Sequence, residues 1–254
     1  MRNIKLTIQY DGTGFAGYEL QPGKRTVRGE MEKALFKLFK KKIKLISSSR
    51  TDSGVHSVGS VVNFKLLNPI PTDNLQMALN SRLPEDVRVI GTRVKGQEFN
   101  ARFGAKSKTY EYLIYNGPVM PVHLRNIAWH IKQQLDLSAM KKAARHLVGK
   151  HDFTSFCAAH GDDKDKVREI HQLVISHSSL VIWGETKVPL IRIRITGNGF
   201  LYKMVRNIVG TLVEVGRGTR DEAEVKTILN AKNRCLAGKT APAHGLCLIK
   251  VCYN

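Results

Sequence analysis

Cysteine is scarce and poorly placed for cross-linking. Cys157, Cys235, Cys247 and Cys252 offer no Cys-x-x-Cys pair, and none has a histidine at zinc-finger spacing. Neither a structural zinc nor a disulfide framework is expected. No run of about 18 uncharged apolar residues is present, as a membrane span would require. The first residues, MRNIKLTIQYDG, alternate apolar and polar side chains instead of building an apolar leader, so a soluble, cytoplasmic protein is expected. Gly-x-Ser-x-Gly and Gly-x-x-x-x-Gly-Lys-Ser/Thr are both missing, and with them the usual marks of acyl transfer and P-loop chemistry.

Acids are also in short supply. Against 41 Lys and Arg stand 21 Asp and Glu, a formal net charge of +20. Such an excess repels itself unless a polyanion compensates. The excess is uneven: residues 1–50 carry 12 basic and 4 acidic side chains and residues 101–150 carry 9 and 2, whereas 51–100 and 151–200 balance. Positive blocks beside neutral ones suit a surface that tracks phosphates. The basic run Lys40-Lys41-Lys42 closes a helical pattern, where cations are favourable for the helix dipole alone.

With 254 residues, 42% of them apolar, the chain can remove roughly 75% of its unfolded surface from water and build a core without a staple. Alternation marks strands in IKLTIQY, SVVNFKL, VRVIGTRV, KTYEYLIY, LVISHSSLVIW, VPLIRIRIT and GLCLIKVCY. Helical spacing marks TVRGEMEKALFKLFKKK, NLQMALNSRL, LSAMKKAARHLVG, FLYKMVRNIVGTLVEVG and RDEAEVKTILNA. This mixture predicts an α+β protein with antiparallel pairing, in two halves, 1–105 and 106–254, with a cleft at their join.

Two motifs are decoys. DGTGFAG, Asp11 to Gly17, spells Gly-x-G-x-x-Gly after a strand, but Tyr18-Glu19-Leu20-Gln21-Pro22-Gly23 follows and the helix starts only near Thr26. A dinucleotide site needs those glycines to open the helix. HDFTSFCAAHGDD gathers histidines and acids without a spacing that brings ligands to one point, so no metal is expected; Phe153 and Phe156 read as anchors pinning a loop to the core.

Three stretches remain as carriers of chemistry. SRTDSGVHS places one carboxylate, Asp52, among small, hydroxylated and cationic residues. ARFGAKSKTYEYLIYN carries Tyr110 on a strand, where an exposed ring face could stack on a base. NGFLYKMVRNIVGTLVEVGRG is a helix with Leu201, Met204, Val205, Ile208 and Leu212 on one stripe. Arg206 and Asn207 lie at its flank, and an Arg turned toward a cleft could hold Asp52 ionised and oriented.

Together these stretches resemble the TruA-type tRNA pseudouridine synthase family. YDGTGFAGYELQP, SRTDSGVHSVGSVVNF, NARFGAKSKTYEYLI, HDFTSF, FLYKMVRNIVGTLVEVGRG and APAHGLCLIKVCY occur in the family's order over nearly the whole chain. Around the acid the family reads Gly-Arg-Thr-Asp-Ala-Gly-Val-His-Ala; Ser49, Ser53 and Ser57 depart from it, while Arg50, Thr51, Asp52, Gly54, Val55 and His56 fit. Lys108 stands where the family commonly has Arg, and Lys203 where it often has His.

The resemblance implies two ferredoxin-like halves whose antiparallel sheets merge across a basic central cleft, and a homodimer that holds one tRNA across both subunits. It implies conversion of uridine to pseudouridine in the anticodon stem-loop, near positions 38, 39 and 40. It further implies Asp52 as the catalytic carboxylate, Tyr110 stacking on the target base, Arg206 pairing with Asp52, and Arg50 capturing the extruded nucleotide. Leu246, in APAHGL, would help exclude water. Isomerisation involves no net redox change and carries no group, so no cofactor is expected. A glycosidase usually employs two carboxylates; here one suffices, whether it attacks C1′, attacks C6 of the base, or removes a ribose proton. All three routes need an ionised carboxylate, the ordinary state of aspartate at neutral pH. The alternatives are a catalytically inactive tRNA-binding protein of the same fold, and a glycosylase that would release free uracil.

Overall fold

The computed structural model describes residues 1–159, 164–181 and 187–253. Ten strands and five α-helices, numbered along the chain, occur among them. The chain divides into two compact units, Met1–Lys106 with Cys247–Asn254, and Ser107–Leu246.

The first unit contains β1 (Arg2–Tyr10), α1 (Val27–Phe39), β2 (Ile46–Ser47), β3 (His56–Leu66), α2 (Thr72–Asn80) and β4 (Val87–Lys95). The sheet runs β4-β1-β3, with β2 also on β3, all antiparallel. This is the βαββαβ path of ferredoxin-like units. Alternation sends Ile4, Leu6 and Ile8 of β1 to one face, where they join Val62, Phe64, Val87 and Val89. Met31 and Leu35 of α1 and Leu75 and Leu79 of α2 close the same core. Asn3, Lys5 and Thr7 point to the opposite face, as the period of two requires. Thr26 caps α1 by accepting from the Gly29 amide at 3.2 Å. The helix stops at Phe39 because Lys40 turns left-handed, φ 54°. Within residues 41–47, KKIKLIS, only Ile46 and Ser47 pair as a strand.

The second unit contains β5 (Ser107–Tyr115), β6 (Trp129–His130), α3 (Leu137–Arg145), β7 (Gly149–Asp152), β8 (Val167–Val181), β9 (Lys187–Gly197), α4 (Met204–Gly216) and α5 (Glu224–Ala231). Its strands lie in the order β5-β9-β8-β7 with antiparallel pairing, and β6 runs parallel beside β5. Tyr112, Ile114, Ile193 and Ile195 are buried, as their alternation predicts. Asp136 caps α3, accepting from the amides of Ser138 (2.7 Å) and Ala139 (3.0 Å).

Two expectations are corrected. The C-terminal strand β10 (Leu246–Cys252) had been assigned to the second half, but Cys247 to the end cluster with the first unit. There β10 adds in parallel beside β3, Cys247 opposite His56 and Leu248 opposite Ser57. Gly59 permits the approach, since a Cβ there would run into the Ile249 carbonyl. The helix containing Arg206 starts at Met204 and not near Phe200, because Lys203 takes φ 56° and ends the preceding turn. The stripe Leu201, Met204, Val205, Ile208 and Leu212 is buried, and so are Asn207, Val209, Gly210, Thr211 and Val213, so α4 is enclosed on more than one side.

Candidate active site

Asp52 sits in the irregular segment between β2 and β3, half-buried. The chain reverses there: the Val55 amide donates to the Asp52 carbonyl at 3.2 Å, and Gly54, with φ 78°, occupies the position of that turn where glycine carries no Cβ penalty. A short turn of this kind would be mobile by itself. It is held by the loop that follows β1, the same DGTGFAG segment that imitates a dinucleotide motif.

That restraint is made largely by backbone. The Tyr18 amide donates to the Thr51 carbonyl (3.0 Å) and the Gly54 amide to the Phe15 carbonyl (3.4 Å). Ser53 adds its hydroxyl to the Phe15 carbonyl (3.1 Å). Beneath them the hydroxyls of Tyr10 and Thr51 meet at 2.8 Å, both residues buried. Backbones can approach this closely only where side chains are missing. A Cβ on Gly12 would overlap the Val55 carbonyl, and one on Gly17, at φ 107°, would stand 2.9 Å from the Thr51 carbonyl oxygen. Gly12 and Gly17 of the decoy thus serve close packing against the Asp52 turn.

His56, the first residue of β3, completes the restraint. Its Nδ1 accepts from the Gly12 amide at 3.0 Å and lies 3.2 Å from Asp11 Oδ1. The Gly12 amide hydrogen points at the ring, so Nδ1 serves as its acceptor. Asp11 is held by the hydroxyl (2.6 Å) and amide (2.9 Å) of Thr13. Burial works against the Asp11 carboxylate, but the bonds from Thr13, followed by the neighbouring His56, together hold its pKa below the usual range. Arg50, two residues before Asp52, is largely exposed, with Nε 3.6 Å from Glu19 Oε2. Glu19 in turn pairs with Arg28, which also binds Glu32.

In the second unit, Tyr110 lies on β5, 8% exposed, its ring edge-on to Phe200 with centroids 5.3 Å apart. Arg206 lies on the first turn of α4. Its Nε donates to the Ala241 carbonyl at 2.8 Å, and the Ala241 amide donates to the Arg206 carbonyl at 3.1 Å. The guanidinium is therefore oriented at its Nε, with the two NH2 groups leading. Residues 237–241 follow the helix closely. Asn207 Oδ1 accepts from Thr240 (2.7 Å) and Arg234 (3.0 Å), and its amide nitrogen donates to the Phe156 carbonyl (2.7 Å). Thr211 receives the Gly238 amide (2.9 Å) and Glu214 the Lys239 amide (3.0 Å). A Cβ on Gly210 would overlap the Lys239 carbonyl. Tyr112 continues the support toward Leu246: its hydroxyl donates to the Pro242 carbonyl at 2.8 Å, and Gly245 lies flat against its ring. Burial pushes the Tyr112 phenol well above its ordinary range despite the nearby Arg206 charge. Leu246 itself is buried.

The chain matches the family model described as tRNA pseudouridine synthase over residues 6–104 and 143–254. Proteins named tRNA pseudouridine synthase A are similar along its whole length. That of Shouchella clausii is 48% identical, covering 100% of this chain and 94% of its own. That of Bacillus subtilis is 47% identical over 99% of both, and that of Caldicellulosiruptor bescii 42% identical over 100% of both. The chain belongs to the tRNA pseudouridine synthase family. It is an isomerase of that family; the Asp52 turn, the 10–18 loop and α4 fall inside the matched residues, whereas Tyr110 and Tyr112 lie between the two matched stretches.

Of the residues singled out from the sequence, Asp52 and Arg50 share one loop of the first unit, whereas Arg206 and Tyr110 belong to the second. Leu246 follows the segment strapped to α4. Sequence reasoning missed Asn207, which had been placed at the helix flank and is fully buried, and it left His56 without a task. The signal for both was faint: a single polar residue inside an apolar helix, and a histidine just after a Gly-Val step. Phe153 and Phe156 are fully buried, their ring centroids 6.2 Å apart, and pin their loop as expected. Of the residues weighed for a metal, His160, Asp162 and Asp163 lie outside the described residues. Among the described residues no cluster of three metal-ligating side chains occurs, and no helix is long and apolar enough to cross a membrane.

Proposed function

We propose that this enzyme converts uridine to pseudouridine in the anticodon stem-loop of tRNA, near positions 38, 39 and 40, with Asp52 as its single catalytic carboxylate. The observation that carries this reading is the mounting of Asp52: a half-buried acid on a turn restrained through backbone contacts by the 10–18 loop. A carboxylate that must meet one atom of an extruded nucleotide gains from such pre-organisation.

The bond from N1 of uracil to C1′ of the ribose breaks, the base turns, C5 joins C1′, and C5 then releases its proton to solvent while N1 takes one up. Atoms and electrons balance without a co-reactant. Asp52 supplies the charged oxygen that this sequence needs, and Arg206, oriented by the Ala241 carbonyl, steadies it as its ion-pair partner. Tyr110 stacks on the target base, and Arg50 captures the nucleotide once it leaves the stack, a step that costs a few kcal/mol. Leu246 keeps out water, whose attack at C1′ would leave an abasic site. The relatives' names support tRNA as the substrate, and the excess of cations supports a phosphate-rich partner. The reading includes a homodimer acting in the cytoplasm, with the dimer to be tested by light scattering.

The test is tritium release from unmodified tRNA labelled at uridine C5, with the wild type and Asp52→Ala side by side. Release by the wild type alone supports the proposal. Release by both removes Asp52 from the chemistry, and binding without release by either points to an inactive tRNA-binding protein.

A further inference from the structure

The face of the first unit's sheet that turns away from α1 and α2 carries an unusual row of charges. Strand register aligns Lys95, Asn3 and Lys65 across β4, β1 and β3, and aligns Arg93, Lys5 and Asn63 in the next row. Those two rows contain four cations, two asparagines and no acid. Arg93 and Lys5 are directly opposite one another, an arrangement that destabilises a strand pair unless something compensates. The Lys5 ammonium is fixed above the Tyr253 ring, 5.0 Å from its centroid. Its pKa is lowered by burial first and then by Lys95 and Arg93. Lys65 and Arg93 are exposed.

The two asparagines tie an adjoining turn to this face. Asn3 donates to the Phe99 carbonyl (2.8 Å), and Asn63 accepts from the Ala101 amide (2.8 Å). Tyr253 donates its hydroxyl to the Ala101 carbonyl (2.8 Å). Asn100 receives the amides of Arg102 (2.9 Å) and Phe103 (3.1 Å). The turn so restrained holds Phe103 80% exposed, with the Arg102 guanidinium 5.3 Å from its ring. A large aromatic kept in water on a fixed turn contributes nothing to the core. From Val87 to Tyr110 six cations accompany one acid, Glu98.

We propose that this sheet face and the Arg102–Phe103 turn form a docking surface for tRNA outside the nucleotide being modified. Lys5, Lys65, Arg93 and Lys95 engage backbone phosphates, and Phe103 stacks on an unpaired base. The inference rests on the tRNA reading above. A polyanion relieves the repulsion between facing cations, and an exposed ring beside a guanidinium offers the sequence-tolerant stacking that single-stranded RNA uses.

Binding of an unmodified tRNA transcript is measured against salt for the full-length protein, Arg93→Ala/Lys95→Ala, and Phe103→Ala, Phe103→Leu and Phe103→Trp. Loss of two phosphate contacts should weaken binding about tenfold near 0.1 M salt and flatten the log–log salt slope by about 1.5. The thermal midpoint should stay level or rise, which separates a docking role from a structural one. Phe103→Ala should cost roughly five- to a hundredfold in affinity, with Phe103→Trp retaining binding and Phe103→Leu losing it. Unchanged affinity and slope in every variant would overturn the proposal. So would a change in oligomeric state accompanying the loss, because the face would then join two copies of the chain. Failure of the wild type to bind tRNA would overturn the functional reading and this inference with it.

Discussion

The hydroxyls of Tyr10 and Thr51 meet 2.8 Å apart beneath the turn that carries Asp52. Tyr10 ends the first strand and Thr51 immediately precedes the acid, so the bond joins the edge of the core to the turn that carries Asp52. Tyr10→Phe leaves the Thr51 hydroxyl without this partner in a buried place and should cost about 1 kcal/mol of stability, with a fall in kcat. The double variant Tyr10→Phe/Thr51→Val should be less destabilised than the sum of the single changes, because replacing both partners removes the unsatisfied group. Urea midpoints for the four proteins test this, and strict additivity would argue against the bond.

Gly12 and Gly14 belong to the same Gly-x-G-x-x-Gly string but face different neighbours. A Cβ at Gly12 meets the Val55 backbone, whereas one at Gly14 meets Arg25 Nη1, the end of a flexible side chain, at 3.2 Å. Gly12→Ala should therefore destabilise by about 3 kcal/mol and abolish most turnover by displacing the Asp52 turn. Gly14→Ala should stay within about 0.5 kcal/mol of wild type. Equal tolerance at both positions, read from thermal midpoints and tritium release, would contradict the packing role assigned here.

Asn207 is a buried hub that serves Phe156, Thr240 and Arg234 at once. Asn207→Leu takes the donor from the Phe156 carbonyl and the acceptor from the Thr240 hydroxyl, while Arg234 keeps its bonds to Thr240 and the Ala237 carbonyl, and should cost about 3 kcal/mol. Turnover should drop even at temperatures where the variant is folded, because the segment that binds Arg206 Nε loses its anchor. Circular dichroism melts paired with single-turnover rates distinguish the two effects.

Asp152 provides a pH test. Bonds from the Thr154 hydroxyl (2.6 Å) and amide (3.0 Å), with Lys232 at 3.0 Å, lower its carboxyl pKa, the Thr154 hydroxyl contributing most. An acid depressed in the folded state stabilises above its unfolded pKa of about 3.9, and that contribution disappears as pH falls through the folded value. Wild-type stability should decline below about pH 4, and Asp152→Asn should decline less steeply. Denaturation midpoints from pH 2 to 6 measure the difference.

Much of the architecture was readable locally. The period-two runs at 4–10, 60–66, 87–94, 108–115 and 188–196 all became strands, since alternation reports a half-buried face without needing to know the partner strand. The limits came where geometry overrode pattern. Lys203 takes a left-handed conformation that delays α4 to Met204, and no residue type announces this, because lysine rarely adopts φ 56°. Asn207 looked like a flank residue because a helical wheel shows where a side chain points but not what lies there.

The sequence by itself determined the family, the charge and the strand and helix content, because composition, period and motif are properties of neighbouring residues. Tertiary structure alone decided what supports those residues. The last strand joins the first unit, Gly12 and Gly17 of an apparent nucleotide motif seat the Asp52 turn, and residues 237–241 bind the polar groups of α4. Each of these depends on backbone segments separated by tens to nearly two hundred residues coming within hydrogen-bond distance. Such pairings are fixed by packing of the whole unit and leave no local periodicity to read.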